Sequence, residues 1–441
     1  MSLIAQGMGE DGVALTPSGF NIKKIEMTRY DGAESLDITP LCVGITLIES
    51  IYSPTVVAKF NIKDNTNFLE EFPIVGHEKI HLIIERIEGD TEIEKRIELK
   101  FVVTEYPLFG KSETQPNLSV YTLSAICPHA YYSSLTKISR EFKNNFGDEI
   151  STILKDDLQV DEKNIEMSKS ITSQAYGVLP YKEPLKAIEW FRSRSCDIKE
   201  SPLYVYQRIN GKIHIETLND MMIRDVSGVY KDSKFFATEV QSVADYKERA
   251  TRLLNVTSNL RFGRVFQSQA GAFASRTEVV DTSTKSFGVK DYTYNLSPKG
   301  YPPFSKTFNV NSLTLDKAHD AHKNTISLNT LAYGDTAINT NGLRAAYEQK
   351  IRAHTESLES MSQDIEIYGD FEYNPGNVIK LEFPRAIDPE EEDLSTEDEH
   401  PGEDKLLSGT YLVTSVQHEF KGGKYMIKSR VKRDSLDFRL I

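Results

Sequence analysis

The first quarter of the chain alternates apolar and polar residues with period two. Thr55, Val57 and Lys59 face away from Val56, Ala58 and Phe60, which predicts a strand from Thr55 to Lys63 with one buried side. After Pro73 and Gly76, Ile80, Leu82 and Ile84 fall on one side of a further strand, Lys79 to Arg86, and His81, Ile83 and Glu85 on the other. Ile22 to Arg29 and Leu41 to Glu49 read as short strands, with Thr39-Pro40 marking the turn before the second. Ile93 to Val103 and Leu118 to Ile126 extend the series across a polar loop, Lys111 to Asn117, that holds Pro116. Six or seven short strands separated by turns predict an antiparallel barrel or sandwich over residues 21–127, and residues 1–20 read as a mobile arm.

From residue 128 to 234 the period lengthens and predicts a small α/β segment. Tyr131 to Phe142 and Asp148 to Leu158 carry apolar residues at helical spacing, as do Leu185, Ile188 and Phe191 behind Pro184, a residue suited to a first helical turn. Leu203 to Ile209 and Lys212 to Glu216 flank Asn210-Gly211, a hairpin signal because both residues tolerate positive φ.

Strand character returns over residues 235–266, with Leu253, Val256 and Leu260 among polar neighbours. Residues 267–340 are rich in Ser, Thr, Asn and Gly and read as an irregular insertion with little core of its own. A helix over 341–361 follows, its stripe formed by Leu343, Tyr347, Ile351, His354, Leu358 and Met361. The remaining stretches echo the first strands: Gly376 to Phe383 matches Gly76 to Ile84, Gly409 to Phe420 matches Leu99 to Leu108, and Lys424 to Val431 matches Leu118 to Ile126. Gly76 to Ile97 is 21 positions and Gly376 to Tyr411 is 35, and the excess of 14 is about the size of the acidic stretch Asp388 to Asp404. Residues 341–434 with 235–266 therefore read as a second copy of the 21–127 unit. The fold class is α+β and mainly β.

At 441 residues the chain has room for two to four domains. No run approaches the ~20 apolar residues of a membrane span, and the N-terminus has no basic segment followed by an apolar one, so neither an anchor nor a secretory signal is expected. A net charge of −13 opposes tight nucleic-acid binding, which draws on Lys and Arg at phosphates. The three cysteines, Cys42, Cys127 and Cys196, have no metal or disulfide spacing and read as apolar fillers.

Candidate chemistry is sparse. His77 and His81 sit four apart on a strand pattern, which separates them by about 13 Å, too far for one metal. His319 and His322 would share a helix face but have no acidic third ligand at a known spacing. Ser134 and Lys137 fit Ser-x-x-Lys without its companion motifs. No catalytic, metal or cofactor residue is therefore assigned. Residues 385–405 read as a solvated acidic loop, with ten Asp and Glu between Asp388 and Asp404. Lys424, Lys428, Arg430 and Lys432 fall on one face of the last strand, opposite Tyr425, Ile427 and Val431, either as a solvated face or as a docking surface for an acidic partner.

The order strand, Ser50-Ile51, strand ending at Asp64, Pro73-Ile-Val-Gly76 corner, strand resembles the first barrel of phage baseplate hub proteins and the N-terminal part of type VI secretion spikes. The helix bearing Trp190 before a hairpin, and the closing stretches Gly369 to Pro384 and Leu407 to Phe420, are similar to other parts of those hubs. The resemblance implies two tube-like antiparallel β-barrels with inserted small α/β segments. It also implies a homotrimer that adapts the sixfold tail tube to the threefold central spike, with a tape measure protein in the bore. DNA would pass through without specific binding, and the protein, made in the host cytoplasm, would reside in the virion. A glycan hydrolase of the tail tip is the other reading; it requires two carboxylates in a cleft, which sequence alone does not bring together.

Overall fold

The computed structural model describes residues 19–66, 68–87, 94–111, 118–171, 173–174, 176–179, 181–232, 250–259, 274–281, 285–293, 324–330, 340–359, 361–385, 403–404 and 406–434. The period-two stretches become β1 (Asn21–Thr28), β2 (Ser35–Asp37), β3 (Cys42–Ser50), β4 (Val57–Asp64), β5 (Lys79–Ile87), β6 (Glu94–Lys111) and β7 (Ser119–Ile126). A short helix α1 (Phe68–Glu71) fills the turn between β4 and β5. Phe60, Leu82, Phe101 and Leu123 point inward, as the alternation requires.

Pro128 and Pro184 open α2 (Pro128–Leu135) and α4 (Pro184–Arg192), where a missing N–H costs nothing. Between them lie β8 (Glu141–Phe142), α3 (Phe146–Thr152), β9 (Ile165–Met167) and β10 (Gly177–Val178). Asn145 caps α3 by accepting from the Gly147 N–H at 2.7 Å. The hairpin β11 (Leu203–Gln207) and β12 (Ile213–Thr217) follows, then α5 (Leu218–Met222), which Thr217 and Asp220 start with a reciprocal capping box. Phe146, Ile150, Leu154, Ile188, Phe191 and Ile215 form a separate core here. A second small cluster, Tyr204, Tyr206, Leu218 and Met221 against Ile51, Val378 and Leu412, fastens this segment to the main sheet.

The rest of the chain supplies β13 (Val226–Lys231), β14 (Leu253–Asn259), β15 (Ala274–Asp281), β16 (Ser286–Thr293), β17 (Asn324–Thr330), α6 (Thr340–Leu358), β18 (Met361–Tyr368), β19 (Val378–Glu382), β20 (Gly409–Lys421) and β21 (Lys424–Arg433). The large sheet runs β14-β18-β21-β20-β3-β4-β7-β6-β5-β1-β2, with β19 joined to β20 and β13 to β19. One continuous core lies beneath it, from Phe60 and Leu82 to Ile365, Phe420 and Ile427.

That sheet contains one arrangement twice. Six strands pair in the order β3-β4-β7-β6-β5-β1, and six more in the order β14-β18-β21-β20-β19-β13, each set connected in the same chain sequence. Two pairs of bulges match as well as the order, while a further shift on β6 between Glu105 and Leu108 has no counterpart on β20. A bulge at Val43, between Cys42 and Gly44, answers one at Leu254, between Leu253 and Asn255. A second pair of bulges falls at Thr104 and Thr414, in the matching stretches Phe101-Val-Val-Thr-Glu105 and Tyr411-Leu-Val-Thr-Ser415. Each of these threonines donates its hydroxyl to the facing strand, to Ser124 O at 3.2 Å and to Arg430 O at 2.9 Å. Gly76 and Gly376 share a φ of +80°, which lets the chain turn into β5 and β19. The copies differ at one edge: β1 runs antiparallel to β5, β13 parallel to β19.

Several expectations change. Among the described residues no strand pair closes either unit into a barrel; the ladder is one open, mainly antiparallel sheet. Phe20, expected in the mobile arm, is buried edge-on to Phe420 with ring centroids 5.2 Å apart. The helix expected to reach Phe142 stops at Leu135, where Thr136 turns extended, and Glu141-Phe142 pairs with β10. The hairpin turn uses three residues, Ile209 to Gly211, closed by Arg208 N to Lys212 O, and Gly211 alone takes positive φ, +83°. Residues 267–340, expected to be irregular, contain a three-stranded sheet in the order β16-β15-β17. The internal repeat also shifts by four positions: Phe101, not Ile97, corresponds to Tyr411. Finally, α6 ends at Leu358, and Met361 already belongs to β18. Its buried side is Gln349, Ala353, His354, Ser357 and Leu358, while Tyr347 and Ile351 are partly exposed. Gln349 is inside because its amide donates to Ser275 O and Lys290 O, each at 2.9 Å, a task that a hydrophobic stripe does not reveal.

Candidate functional site

Each strand of the large sheet sends alternate residues into the core, and the other residues build an open polar face. In β3 and β4 this face carries Thr46, Lys59, Asn61 and Lys63; in β7 it carries Thr122 and Ser124. Across the junction it continues through Gln417 and Glu419, Lys428 and Arg430, Asp364 and Glu366, then Asn255 and Thr257. Near its β14 end the face is hollowed into a recess of about 380 Å³ lined by Asn255, Thr257, Asp364, Gln417, Lys428 and Arg430 among others.

Around this recess the basic charges of β21 are paired rather than pooled. Arg430 holds Asp364 in a two-pronged contact at 2.7 and 3.0 Å, and this bond raises the guanidinium pKa. Lys428 reaches Glu419 at 3.0 Å, and that hydrogen bond raises the ammonium pKa in turn. Lys424 stands exposed beside the Gly422-Gly423 tip of the β20–β21 hairpin. Lys432 differs from the other three: it is only 6% exposed, bound to Glu359 and to the Tyr52 hydroxyl at 3.2 Å. Its expected place on the docking face is therefore corrected, because Tyr52 and α6 cover that end of β21.

A buried polar cluster, not anticipated from sequence, locks the two units together behind the face. Glu49 of β3 accepts from Ile209 N at 2.7 Å and meets His418 of β20 at 3.1 Å. The other nitrogen of His418 meets the Tyr425 hydroxyl at 2.8 Å, and that hydroxyl donates to Asp370 O at 3.2 Å. The one available signal was register: Glu49 follows Ile45 and Leu47 on the inward side of its strand.

The remaining candidates have separate neighbours. His77 meets the Tyr131 hydroxyl and His81 meets Glu98 at 2.9 Å. Ser134 donates to Tyr131 O at 2.7 Å, closing its own helix, and Lys137 lies over the Tyr181 ring. Burial pushes the Cys42 and Cys127 thiols up to about 12 and raises Cys196 too, as suits fillers. His319, His322 and most of the acidic loop lie outside the described residues. Among the described residues no three His, Cys, Asp or Glu gather as a metal site, and no helix is long and apolar enough to cross a membrane.

No family sequence model matches the chain, and no curated protein matches it in sequence. Solved structures do match in shape. A tail protein from Neisseria meningitidis MC58 aligns over 94% of this chain and 97% of its own, at 9% identity and a TM-score of 0.52. The 43 kDa tail protein of prophage MuSo2 from Shewanella oneidensis aligns over 95% and 100%, at 10% identity and 0.51. The fold is that of phage tail proteins. A component of the E. coli type VI secretion system, described as similar to T4 tail proteins gp27 and gp5, aligns over 96% of this chain and 79% of its own at 9% identity and a TM-score of 0.43. In this tail-protein fold the polar face spans both repeated units without interruption.

Proposed function

We propose that the chain is a structural baseplate hub, a homotrimer that adapts a sixfold tail tube to a threefold central spike. The observation that carries this reading is the repeated six-strand arrangement with its matched bulges. Two look-alike units per chain allow three chains to present six tube-like modules to the tube and three of everything else to the spike. On this reading the two units become the tube-like barrels of the ring, and the α/β segment over 128–234 and the insertion over 267–340 lie outside its wall.

The paired charges of the open face suit the wall of a conduit. A charge-balanced surface lined by Ser, Thr and Asn, in a chain of net charge −13, gives DNA little to hold, so it passes without specific binding. The partners of such a hub are the tube protein on one side, the spike on the other and a tape measure protein in the bore. Exposed Lys424, Lys428 and Arg430 are the candidate docking residues for an acidic neighbour. The role is structural, in the virion tail.

Two measurements test this. Solution mass with symmetry-resolved particle images should give three chains around a pseudo-sixfold ring; a monomer at micromolar concentration, with or without the spike, would remove the adaptor role. Clearing of a peptidoglycan suspension by the purified chain would favour a tail-tip hydrolase instead.

A further inference from the structure

Away from the polar face, a larger cavity of about 580 Å³ lies between the first sheet unit and the α/β segment. It is bounded by β6, α2, the β11–β12 hairpin and the loop that follows a π-helical turn, Ile153–Asp157. Its volume is in the range of small-molecule sites, and clefts between two parts of a fold are where such sites gather. Gln159 on this loop takes a φ of +55°, a left-handed conformation that a residue with a side chain adopts at a cost. Both the π-turn and such strained residues recur at binding sites.

The charges of the lining cancel. Glu98 and Asp161 supply two carboxylates, Lys100 and Lys163 two ammonium groups. Three of the four are engaged: Glu98 with His81 at 2.9 Å and Arg96 at 2.8 Å, and Asp161 with Lys163 at 3.4 Å. The other polar groups are open. Among the described residues the side chains of Lys100, Gln159 and Asn164 and the Tyr132 hydroxyl make no hydrogen bond or ion pair. Asn210 spends its carbonyl oxygen on Lys212 N at 3.0 Å and keeps its NH2. His129, also part of the lining, is only 6% exposed. Its Nε2 meets Pro54 O at 2.9 Å, and a carbonyl only accepts, so Nε2 carries the proton and Nδ1 keeps a lone pair that no described protein group meets. Burial lowers the His129 pKa and so holds the ring neutral.

Uncharged amides, a phenol and a neutral imidazole donate and accept in nearly equal measure, as the hydroxyls of a sugar do. An anion would call for surplus cations and an apolar ligand for an apolar wall, and the lining offers neither. Tyr132, 39% exposed, adds an aromatic surface on which the C–H face of a sugar ring can pack. We infer that this cavity binds a short neutral saccharide, its hydroxyls shared among Lys100, Gln159, Asn164 and Asn210 and one ring laid on Tyr132. The site does not depend on the hub reading, which rests on the repeated sheet.

The test titrates the full-length protein with cellobiose and with N,N′-diacetylchitobiose, using saturation-transfer NMR for contact and calorimetry for affinity. Sugar is taken to about 10 mM, enough to fill a site with a Kd of about 1 mM. At least one disaccharide should bind, and Tyr132→Ala and Asn164→Ala should each weaken it about tenfold. Tyr132→Phe, which keeps the ring, should retain most of the affinity, and Lys428→Ala, at the other recess, all of it. Tyr132 and Asn164 are both open to solvent, so circular dichroism of their variants should match the parent. Absence of binding by both sugars overturns the inference. So does binding that survives Tyr132→Ala and Asn164→Ala at full strength, which places the ligand elsewhere. Inorganic phosphate that binds in place of either sugar and is lost in Lys100→Ala overturns the saccharide class and makes the cavity an anion site.

Discussion

Glu49 and His418 stand 369 residues apart in the chain and 3.1 Å apart in space, and neither side chain touches solvent. Their pairing crosses the seam where β20 of the second unit meets β3 of the first. Ile209 N, from the hairpin of the α/β segment, binds the same carboxylate, so three parts of the fold converge on one side chain. Truncation leaves a buried N–H and an imidazole without their acceptor. Glu49→Ala should cost about 3–5 kcal/mol in unfolding free energy, against about 1–2 kcal/mol for Glu49→Gln, which keeps an acceptor oxygen. Denaturant titration of both variants checks this. Equal and small losses would mean that the seam is held by its apolar contacts alone.

The two corner glycines share a φ but not their surroundings. A Cβ on Gly376 would collide with the Tyr206 hydroxyl, whereas one on Gly76 would meet backbone atoms of Val103 and Thr104 at ordinary distances, Thr104 O nearest at 3.7 Å. Gly76→Ala should therefore cost only the left-handed backbone strain, roughly 1–2 kcal/mol, and Gly376→Ala clearly more. Tyr206→Phe should recover part of the Gly376→Ala loss in thermal unfolding. Indistinguishable losses at the two glycines, with no rescue, would show that Tyr206 moves aside freely.

Acid should unfold the chain in two stages. Burial lowers the His354 pKa from 6.5 to about 4. A histidine held neutral stabilises the fold above its unfolded value, and that contribution is lost as pH falls from 6.5 through 4. Glu216 is pulled the other way by burial, but hydrogen bonds from His214 and the Tyr206 hydroxyl and the charge of Arg224 bring it from 4.5 down to about 2. A carboxylate so depressed stabilises above 4.5 and loses that contribution as pH falls through 2. Each stage should remove up to about 3 kcal/mol. Urea midpoints at pH 7.5, 5 and 3 read both; His354→Leu should flatten the first stage and Glu216→Gln the second. A first stage that persists in His354→Leu would assign it to other groups.

The strands of the first unit were legible because each buries one side and exposes the other, so Val57 to Asp64 alternates through its whole length. Strand β13, with Val226, Ser227 and Gly228 all partly or fully exposed, offers no such alternation and passed unseen. Helix α6 was legible as a helix, but its inward face includes Gln349, whose amide partners lie on distant strands, and Ser357, which bonds back to His354 O of its own helix. The candidate face shows the same division. Alternation placed Lys428 and Arg430 correctly, while the burial of Lys432 depends on Tyr52, 380 positions away. The junction of the units was illegible for a similar reason: β20 meets β3 through backbone bonds and through side-chain pairs such as Glu49 with His418, whose members lie 369 positions apart.

The basic residues of β21 make a prediction that separates stability from docking. Lys428 and Arg430 are exposed, and exposed ion pairs contribute about 0–1 kcal/mol. Reversal at Lys424 and Lys428, to Glu, should leave circular dichroism and solution mass unchanged, since neither side chain lies in the core or at a sheet edge. If this face docks an acidic neighbour, as the proposed hub role has it, the reversed chain should enter tail assemblies less often, and the wild-type contact should weaken with salt, because both effects are electrostatic. Lys432→Glu should instead unfold the end of β21, placing a carboxylate beside Glu359 under cover, and so should fail at the level of the chain. Particle counts by electron microscopy at low and high salt decide the matter. Undiminished assembly of the Lys424→Glu, Lys428→Glu chain would make the face a solvated wall and end its docking role.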